Sequence, residues 1–493
     1  MRRFLGHPLF GLITGAGVIR LLGVFARGIQ YDDAFSILLA GTTFDEIIAG
    51  TAADTMPPLY YFILHLWQIF GSSIAFLRLP GIIFSLGIIF LAYHVVEKAA
   101  GRQAAIWTAA ILAVNPLQYY HAQDIRMYSL ATFLIMVWIW AAMELILEKD
   151  LQNFPAWKWC VLCLSGAGAL YSHALAGFGL LSPYVFFLLK RDWKHLWGMI
   201  AAGVVSLSLY IPWLTLVPGQ IVKVQQAFWT PVPGVVEVFQ SIIMVFGDLP
   251  APPVAMGISL FSAVLIAVIC GISLVRNRNE NESLLIFFLM AVIPPACLLF
   301  LSYIMRPMFV PRAFLSAYVG LVACLGVVCS RSRIIEKCLI GSLISICALA
   351  TLPSSIQYNE FPRSPFLAAS TYLESAVRPG DVILHDNKLS FFPSKVYSPR
   401  LNSQFLMDIP GSANDTLASQ TMRSLDIKAY EDVGTAIRGY DRVFFIVFQQ
   451  TIDEFTALGE VHPVLEELDE LADKPVEHKF GDLLVFEYSM GTY

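Results

Sequence analysis

Long apolar runs recur along the first three-quarters of this chain and constrain its fold more than any other feature. A run of about 17 to 25 apolar residues can cross the hydrocarbon core of a bilayer as a helix, which pairs its own backbone N–H and C=O groups. Such runs lie near 8–26, 73–96, 103–116, 127–147, 157–173, 174–190, 196–216, 254–275, 284–303, 312–329 and 338–352. They predict an α-helical polytopic membrane protein with about eleven transmembrane helices. Of the 493 residues, 57% are hydrophobic and 14% charged, far from soluble usage. Mean hydropathy is +0.65. No small-residue cleavage site precedes the acidic loop after the first run, so that run is expected to stay as a helix and not to be removed as a signal peptide.

Basic residues in short loops mark the cytoplasmic side of a plasma-membrane protein. Arg2 and Arg3, Lys98 and Arg102, Lys149 and Lys158, Lys190, Arg191 and Lys194, Arg276 and Arg278, and Arg331, Arg333 and Lys337 fall on alternate loops. The N-terminus is therefore expected in the cytoplasm. The opposite face carries 27–72, 117–126, 217–253, 304–311 and everything after about 353. In the long first outer loop, 27–72, Phe44 to Ile48 and Pro57 to Phe70 are too short or too interrupted to cross, and read as interfacial helices. The proline-rich 217–253, with Phe228 and Trp229, reads as a partly ordered outer loop or as a plain connector.

After Pro353 charged residues return and helical and strand patterns alternate. A helix is expected near 364–377, a strand at Asp381 to His385, a buried strand at Arg442 to Phe448, a helix at 452–473 and a strand pair near 476–488. The chain thus divides into a transmembrane domain, 1–352, and a small α/β extracytoplasmic domain, 353–493. The latter has no glycine-rich phosphate loop and reads as an accessory or acceptor-facing module.

Nothing resembles a basic groove or recognition helix, so nucleic acid is not expected as a partner. Cys160, Cys163, Cys270, Cys297, Cys324 and Cys347 lie inside apolar runs, where cysteine acts as a small hydrophobe, and the region after Thr351 has none. Asn414-Asp415-Thr416 fits a glycosylation acceptor pattern, meaningful only in a eukaryotic or archaeal host.

Polar groups at membrane depth are costly and mark function by default. Four clusters converge on the outer face. They are Gln30-Tyr31-Asp32-Asp33, then Asp54-Thr55-Met56-Pro57-Pro58-Leu59-Tyr60-Tyr61, then His121-Ala122-Gln123-Asp124-Ile125-Arg126-Met127-Tyr128, and finally Arg306 with Arg312. Asp32 and Asp33, at the mouth of the first span, are candidate catalytic acids or bases; the plainer alternative is that they end the first helix. On an extended segment they would point opposite ways, one to a chamber and one to a structural partner. Arginine suits a phosphate because its planar fork binds two oxygens and stays charged, so carboxylates with arginines on one face suit a phosphorylated amphiphile. Snorkelling is the alternative for Arg306 and Arg312, an interfacial ion pair for Asp124 with Arg126, a belt anchor for Tyr60 and Tyr61, and a structural role for His65 and His173.

The order of these motifs, with Leu77-Arg78-Leu79-Pro80-Gly81 between the second and third, resembles the GT-C membrane glycosyltransferases. It is most similar to relatives of protein O-mannosyltransferases and of lipid A aminoarabinose transferase. The likeness covers about residues 1–330. It implies a GT-C-like fold and an enzyme that takes a hexose or pentose from a polyprenyl-phosphate donor on the outer face and passes it, with inversion, to a lipid, glycan or protein acceptor. It also implies a base at Asp32, while Tyr60, Asp124, Arg126, His173, Arg306 and Arg312 are candidate donor contacts by their place on the outer face, with Arg312 favoured over Arg306 for the carrier phosphate. Two departures stand out. Met56 replaces the His or Lys often found before Pro-Pro, and Asp33 replaces the common Glu, which favours Asp32 as the base. No metal-ligand cluster stands out, and a divalent metal is left open. The rival expectation is a transporter or flippase of lipid-linked sugars, although the chain lacks the repeated, broken spans of many transporters.

Overall fold

The computed structural model describes residues 8–148, 151–226, 230, 232–247, 252–276, 284–356, 358–408 and 417–490. Arg2, Arg3, Lys149, Phe228, Trp229, Pro231, Pro250, Arg278 and the Asn414-Asp415-Thr416 pattern lie outside the described residues. The chain forms two compact units. One comprises Met1–Phe25, Thr55–Ile63 and Gly71–Ile356; the other comprises Ala26–Asp54, Leu64–Phe70 and Gln357–Tyr493.

The first unit is helical. Among the described residues, 7 helices are long and apolar enough to cross a membrane: Ile74–Ala100, Tyr128–Ile146, Trp193–Leu214, Pro253–Arg276, Leu284–Ile304, Pro311–Arg331 and Ile334–Ile356. Shorter apolar helices occupy Pro8–Leu21, Arg102–Val114 and Ala174–Leu189. A further helix runs over Ala156–Ser172. The protein is an integral membrane protein of mostly helical fold.

Several expected spans are divided by their own sequence. The first helix stops at Leu21 and is followed by Gly23 at φ +70°, so the run to 26 does not continue as helix. Within 174–190, a 3-10 stretch Ala174–Leu181 passes into the α-helix Ser182–Leu189 near Pro183. Part of the segment 217–253 is helical, at Val217–Gln226 and Val235–Ile243.

Buried polar side chains in this unit close helix ends. Arg20 is fully enclosed; its Nη2 and Nη1 donate to Leu112 O and Ala113 O at 3.1 and 3.0 Å, and Nε donates to Ser85 Oγ at 2.8 Å. The accepting carbonyls belong to the last turn of Arg102–Val114, whose C=O groups have no partner within the helix. The guanidinium therefore caps that helix and matches the negative end of its dipole. Glycines allow close approach elsewhere: a Cβ at Gly326 would stand 2.8 Å from Thr108 N, and one at Gly320 would stand 2.8 Å from Phe287 O. These contacts seat Leu315–Arg331 between Arg102–Val114 and Leu284–Ile304, at the centre of the bundle.

The second unit is built on a six-stranded sheet of order β3-β2-β1-β4-β6-β5. The strands are β1 Asp381–His385, β2 Ser403–Leu406, β3 Ala429–Tyr430, β4 Arg442–Phe448, β5 Val476–Phe480 and β6 Leu483–Ser489. β1 to β4 pair in parallel; β6 runs antiparallel to β4 and to β5. Alternate residues feed two cores. Val382, Leu384, Val443, Phe445 and Val447 lie in one, and Ile383, Phe444, Ile446 and Phe448 join Phe366, Ala369 and Leu373 in the other. Burial on both faces explains why β1 and β4 read as near-continuous apolar runs. The single helix expected over 452–473 is two, Gln449–Ala457 and Pro463–Leu471, separated by Gly459 at φ +78° and by Pro463.

Segments from within 27–72 belong to this unit. Helix Tyr31–Ala40 packs on helix Lys388–Tyr397, with the Phe392 ring 5.2 Å from Tyr31 and 5.8 Å from Phe35. Helix Phe44–Ala53 packs on Ser419–Ser424, where Thr421 Oγ1 donates to Gly50 O at 3.1 Å. His65, read as structural, has Nδ1 2.8 Å from Ala40 O.

Candidate functional site

The motif Gln123-Asp124-Ile125-Arg126-Met127-Tyr128 forms a tight turn between helices Pro116–Ala122 and Tyr128–Leu147. Asn115 caps the first of these, its Oδ1 accepting the Gln118 N–H at 3.0 Å. Gln123 is fully buried, and its Nε2 donates to Arg20 O and Leu22 O, both at 2.8 Å. Tyr119 Oη donates to the same Leu22 O at 2.8 Å, and Arg78 Nη1 to Val24 O at 3.0 Å. Three side chains thus satisfy carbonyls at and just after the end of the first helix, and Gln123 ties the turn to it. Gly81 completes the arrangement, since a Cβ there would stand 2.6 Å from Ala122 O.

The polar residues of the turn are held on this frame. Asp124, 2% exposed, has Oδ2 2.8 Å from His121 Nδ1, which donates to it. Arg126 Nη1 donates to Tyr61 Oη at 3.1 Å, and the Tyr61 ring stands edge-on to Tyr60 at 6.1 Å. Tyr60 is buried in the same unit. The Tyr128 ring lies 5.4 Å from His121 and 5.9 Å from His173. Arg312 places its guanidinium carbon 5.8 Å from the centre of the same Tyr128 ring. A small cavity is lined by Tyr128, His173, Arg312, Thr132 and Ser316. His173 Nδ1 accepts the Leu175 N–H at 3.1 Å and so caps the 3-10 stretch that follows.

Asp124, Arg126, Tyr60, Tyr61, His173 and Arg312 are therefore all in the first unit, and Tyr128, His173 and Arg312 meet at one cavity. Arg306 is half-buried in that unit but does not line the cavity. Sequence reasoning missed His121 and Tyr61 as partners. The spacing of His121 to Asp124, one turn apart at a helix end, was the available signal for the first; nothing local pairs Tyr61 with Arg126.

The acid pair belongs to the second unit. Asp32 and Asp33 occupy the first turn of helix Tyr31–Ala40, not the extended segment expected. Carboxylates are stabilised there by the positive end of the helix dipole. Asp33 is fully buried and completes a capping box, its Oδ2 accepting the Gln30 N–H at 3.3 Å. Asp32 is half-buried. Its side chain leaves the helix about 100° from Asp33, so the two carboxylates still face different surroundings, for a helical reason. Lys388, at the start of the helix that supports this one, has Nζ 5.9 Å from the centre of the Tyr31 ring and 3.8 Å from Asp408 Oδ2. No sequence signal pointed to it.

Among the described residues no group of three or more His, Cys, Asp and Glu gathers in a way that could hold a metal ion.

Residues 55–215 match the family model described as dolichyl-phosphate-mannose-protein mannosyltransferase. A search of curated proteins finds no match. The fold is similar to that of ArnT from Cupriavidus metallidurans in the apo state, with TM-score 0.64, 13% identity and 97% of each chain covered. It is similarly close to the same protein bound to undecaprenyl phosphate, with TM-score 0.63 and 13% identity over 97% of each chain. The archaeal oligosaccharyltransferase AglB from Archaeoglobus fulgidus, in complex with an inhibitory peptide and a dolichol-phosphate, aligns with TM-score 0.51 and 12% identity, over 99% of this chain and 75% of that one. By the family model over residues 55–215, about a third of its length, and by fold over nearly its whole length, the chain is similar to the GT-C membrane glycosyltransferases of the protein mannosyltransferase and ArnT kind.

Proposed function

We propose that this protein is a membrane glycosyltransferase that moves a sugar from a polyprenyl-phosphate carrier to a lipid, glycan or protein acceptor on the extracytoplasmic face. The observation that carries the reading is the likeness in fold, over 97% of the chain, to a protein solved with undecaprenyl phosphate. The meeting of Arg312, His173 and Tyr128 at one cavity, beside the turn that carries Arg126, supports it.

In the proposed step an acceptor hydroxyl or amine attacks the anomeric carbon from the side opposite the carrier phosphate. Its proton passes to the Asp32 carboxylate, a bond forms from acceptor to sugar, and the bond from sugar to phosphate oxygen breaks. The configuration inverts and the carrier phosphate leaves with the electron pair. Asp32 suits the base because Asp33 is committed to the cap of its helix. The developing phosphate charge calls for fixed cations, and Arg126 and Arg312 are the residues proposed to supply them. Asp124, through His121, keeps the turn that carries Arg126 in place.

The test is transfer of labelled sugar from polyprenyl phosphate by purified wild type and by Asp32→Asn. General-base loss typically costs about 10²- to 10⁴-fold, so turnover should fall in that range while donor binding persists. Equal turnover would remove Asp32 from the mechanism. Label that crosses a vesicle membrane still joined to its carrier, with none on an acceptor, would favour the flippase.

A further inference from the structure

The cavity beside the Gln123–Tyr128 turn is walled by polar side chains whose hydrogen-bonding groups are not all engaged. His173, Thr132 and Ser316 line it and are 5%, 3% and 5% exposed, so water reaches them little except through the cavity. Hydroxyls on the helices of this unit often donate to a carbonyl one turn earlier, as Ser302 does to Leu298 O at 2.8 Å and Thr351 to Cys347 O at 2.9 Å. The Thr132 and Ser316 hydroxyls make no such bond to any described residue. His173 uses one ring nitrogen, Nδ1, to accept the Leu175 N–H at 3.1 Å. A neutral imidazole that accepts at Nδ1 carries its proton on Nε2, and Nε2 has no hydrogen-bond partner among the described residues. Three buried donors thus share one cavity, and buried donors call for an acceptor.

Size and surroundings narrow the choice of acceptor. The cavity has room for about one water-sized group, so a single oxygen atom fits and a sugar ring does not. Arg312 lines it too, and Arg126 is near enough to act on His173 electrostatically. Thr132 and Ser316 stand in the first two turns of helices Tyr128–Leu147 and Leu315–Arg331, and His173 caps Ala174–Leu181. Three helices therefore begin at this place, and helix starts favour negative charge. A non-bridging phosphate oxygen is charged and only accepts, whereas a hydroxyl must also place a proton. We infer that His173 Nε2–H, Thr132 Oγ1–H and Ser316 Oγ–H form a cradle for one non-bridging oxygen of the carrier phosphate, with His173 as an uncharged donor. The inference rests on the proposed transfer from a polyprenyl phosphate, and adds Thr132 and Ser316 to the residues that hold the carrier.

The test measures binding of polyprenyl phosphate, without sugar, to the full chain in detergent, with polyprenol as the control that lacks the phosphate. Thr132→Val and Ser316→Ala should each weaken polyprenyl phosphate about tenfold, as loss of a hydrogen bond to a charged group does, and leave polyprenol unchanged. Thr132→Ser, which keeps the hydroxyl, should bind like wild type. A pair of variants separates the two nitrogens of His173. Asparagine puts an oxygen where Nδ1 stands and is a good cap, so His173→Asn should melt like wild type yet bind polyprenyl phosphate about tenfold more weakly. Glutamine reaches the Nε2 position but gives up the cap, so His173→Gln should melt lower and keep most of the affinity. Affinity that simply follows melting temperature across this pair would overturn His173 as a donor. Unchanged affinity in folded Thr132→Val, Ser316→Ala and His173→Asn would overturn the cradle and leave the cavity to water. Wild type that binds polyprenyl phosphate no better than polyprenol would overturn the carrier reading itself, and the cradle with it. Should the hydroxyl variants not fold, the asparagine and glutamine pair still decides.

Discussion

Neighbouring side chains of one type can have unlike roles when a helix start lies beneath them. Asp33 closes a capping box and is fully enclosed, while Asp32 is half-exposed one position earlier. Asp33→Asn should therefore act mainly on stability, costing about 1 kcal/mol as capping changes do, and leave more activity than Asp32→Asn; thermal unfolding beside turnover separates the two. Arg20 gives a second case, because its guanidinium satisfies carbonyls that no other described side chain is seen to reach. Arg20→Met leaves those acceptors buried without a donor, at about 1–3 kcal/mol each. A clear drop in melting temperature in detergent is expected, with Arg20→Lys only partly restoring it, since an ammonium lacks the fork. At the turn, Arg126→Lys should keep the charge but lose the planar geometry, raising KM for the lipid-linked donor more than it lowers kcat.

At the scale of elements, contact distance and burial set the tolerances. Gly326 lets Leu315–Arg331 approach Arg102–Val114 so closely that a methyl group has no room against Thr108 N. Gly326→Ala should destabilise by about 1–3 kcal/mol, the usual range for overpacking, and thermal unfolding reads this directly. In the sheet, β1 ends on His385, which is fully buried with Nδ1 3.1 Å from Ser390 Oγ. Burial lowers its pKa to about 3. The unfolded chain, with histidine near its ordinary value of about 6.5, binds more protons than the folded one between those two values. Stability from this group is thus complete above about pH 6.5 and is lost as pH falls toward 3, at up to about 1.4 kcal/mol per unit. Burial raises the carboxyl pKa of Asp482, which acts in the opposite direction. Amide exchange of Asp381–His385 in the full chain should therefore accelerate between pH 7 and 5 beyond the intrinsic trend, and His385→Met should remove that excess.

For the molecule as a whole, the divide between units does not follow the divide in hydropathy. Ala26–Asp54 and Leu64–Phe70 lie far from the α/β region in sequence, yet they pack in its unit. Tyr31, Phe35 and Gly50 make the contacts, to Phe392 and Thr421. Phe392→Ala removes the aromatic seat of the acid-pair helix. Loss of about 3–5 kcal/mol of packing is expected for such a change, read as raised exchange in both 31–40 and 388–397. Sidedness is tested by fusion: a C-terminal alkaline phosphatase should be active and a C-terminal green fluorescent protein dark if the α/β unit is extracytoplasmic.

Hydrophobic run length and the period of apolar residues are local quantities, so the sequence alone carried the membrane-crossing helices and the buried strands Asp381–His385 and Arg442–Phe448. The motif order likewise marked the Gln123–Tyr128 turn. Local patterns say nothing about which distant groups meet. Only the tertiary structure decided that Arg126 bonds Tyr61, that Arg20 caps a helix ending at Val114 and that Lys388 stands beside Tyr31. Each of those outcomes depends on satisfying a buried polar group or filling a space between segments far apart in the chain, and no window of sequence contains both partners.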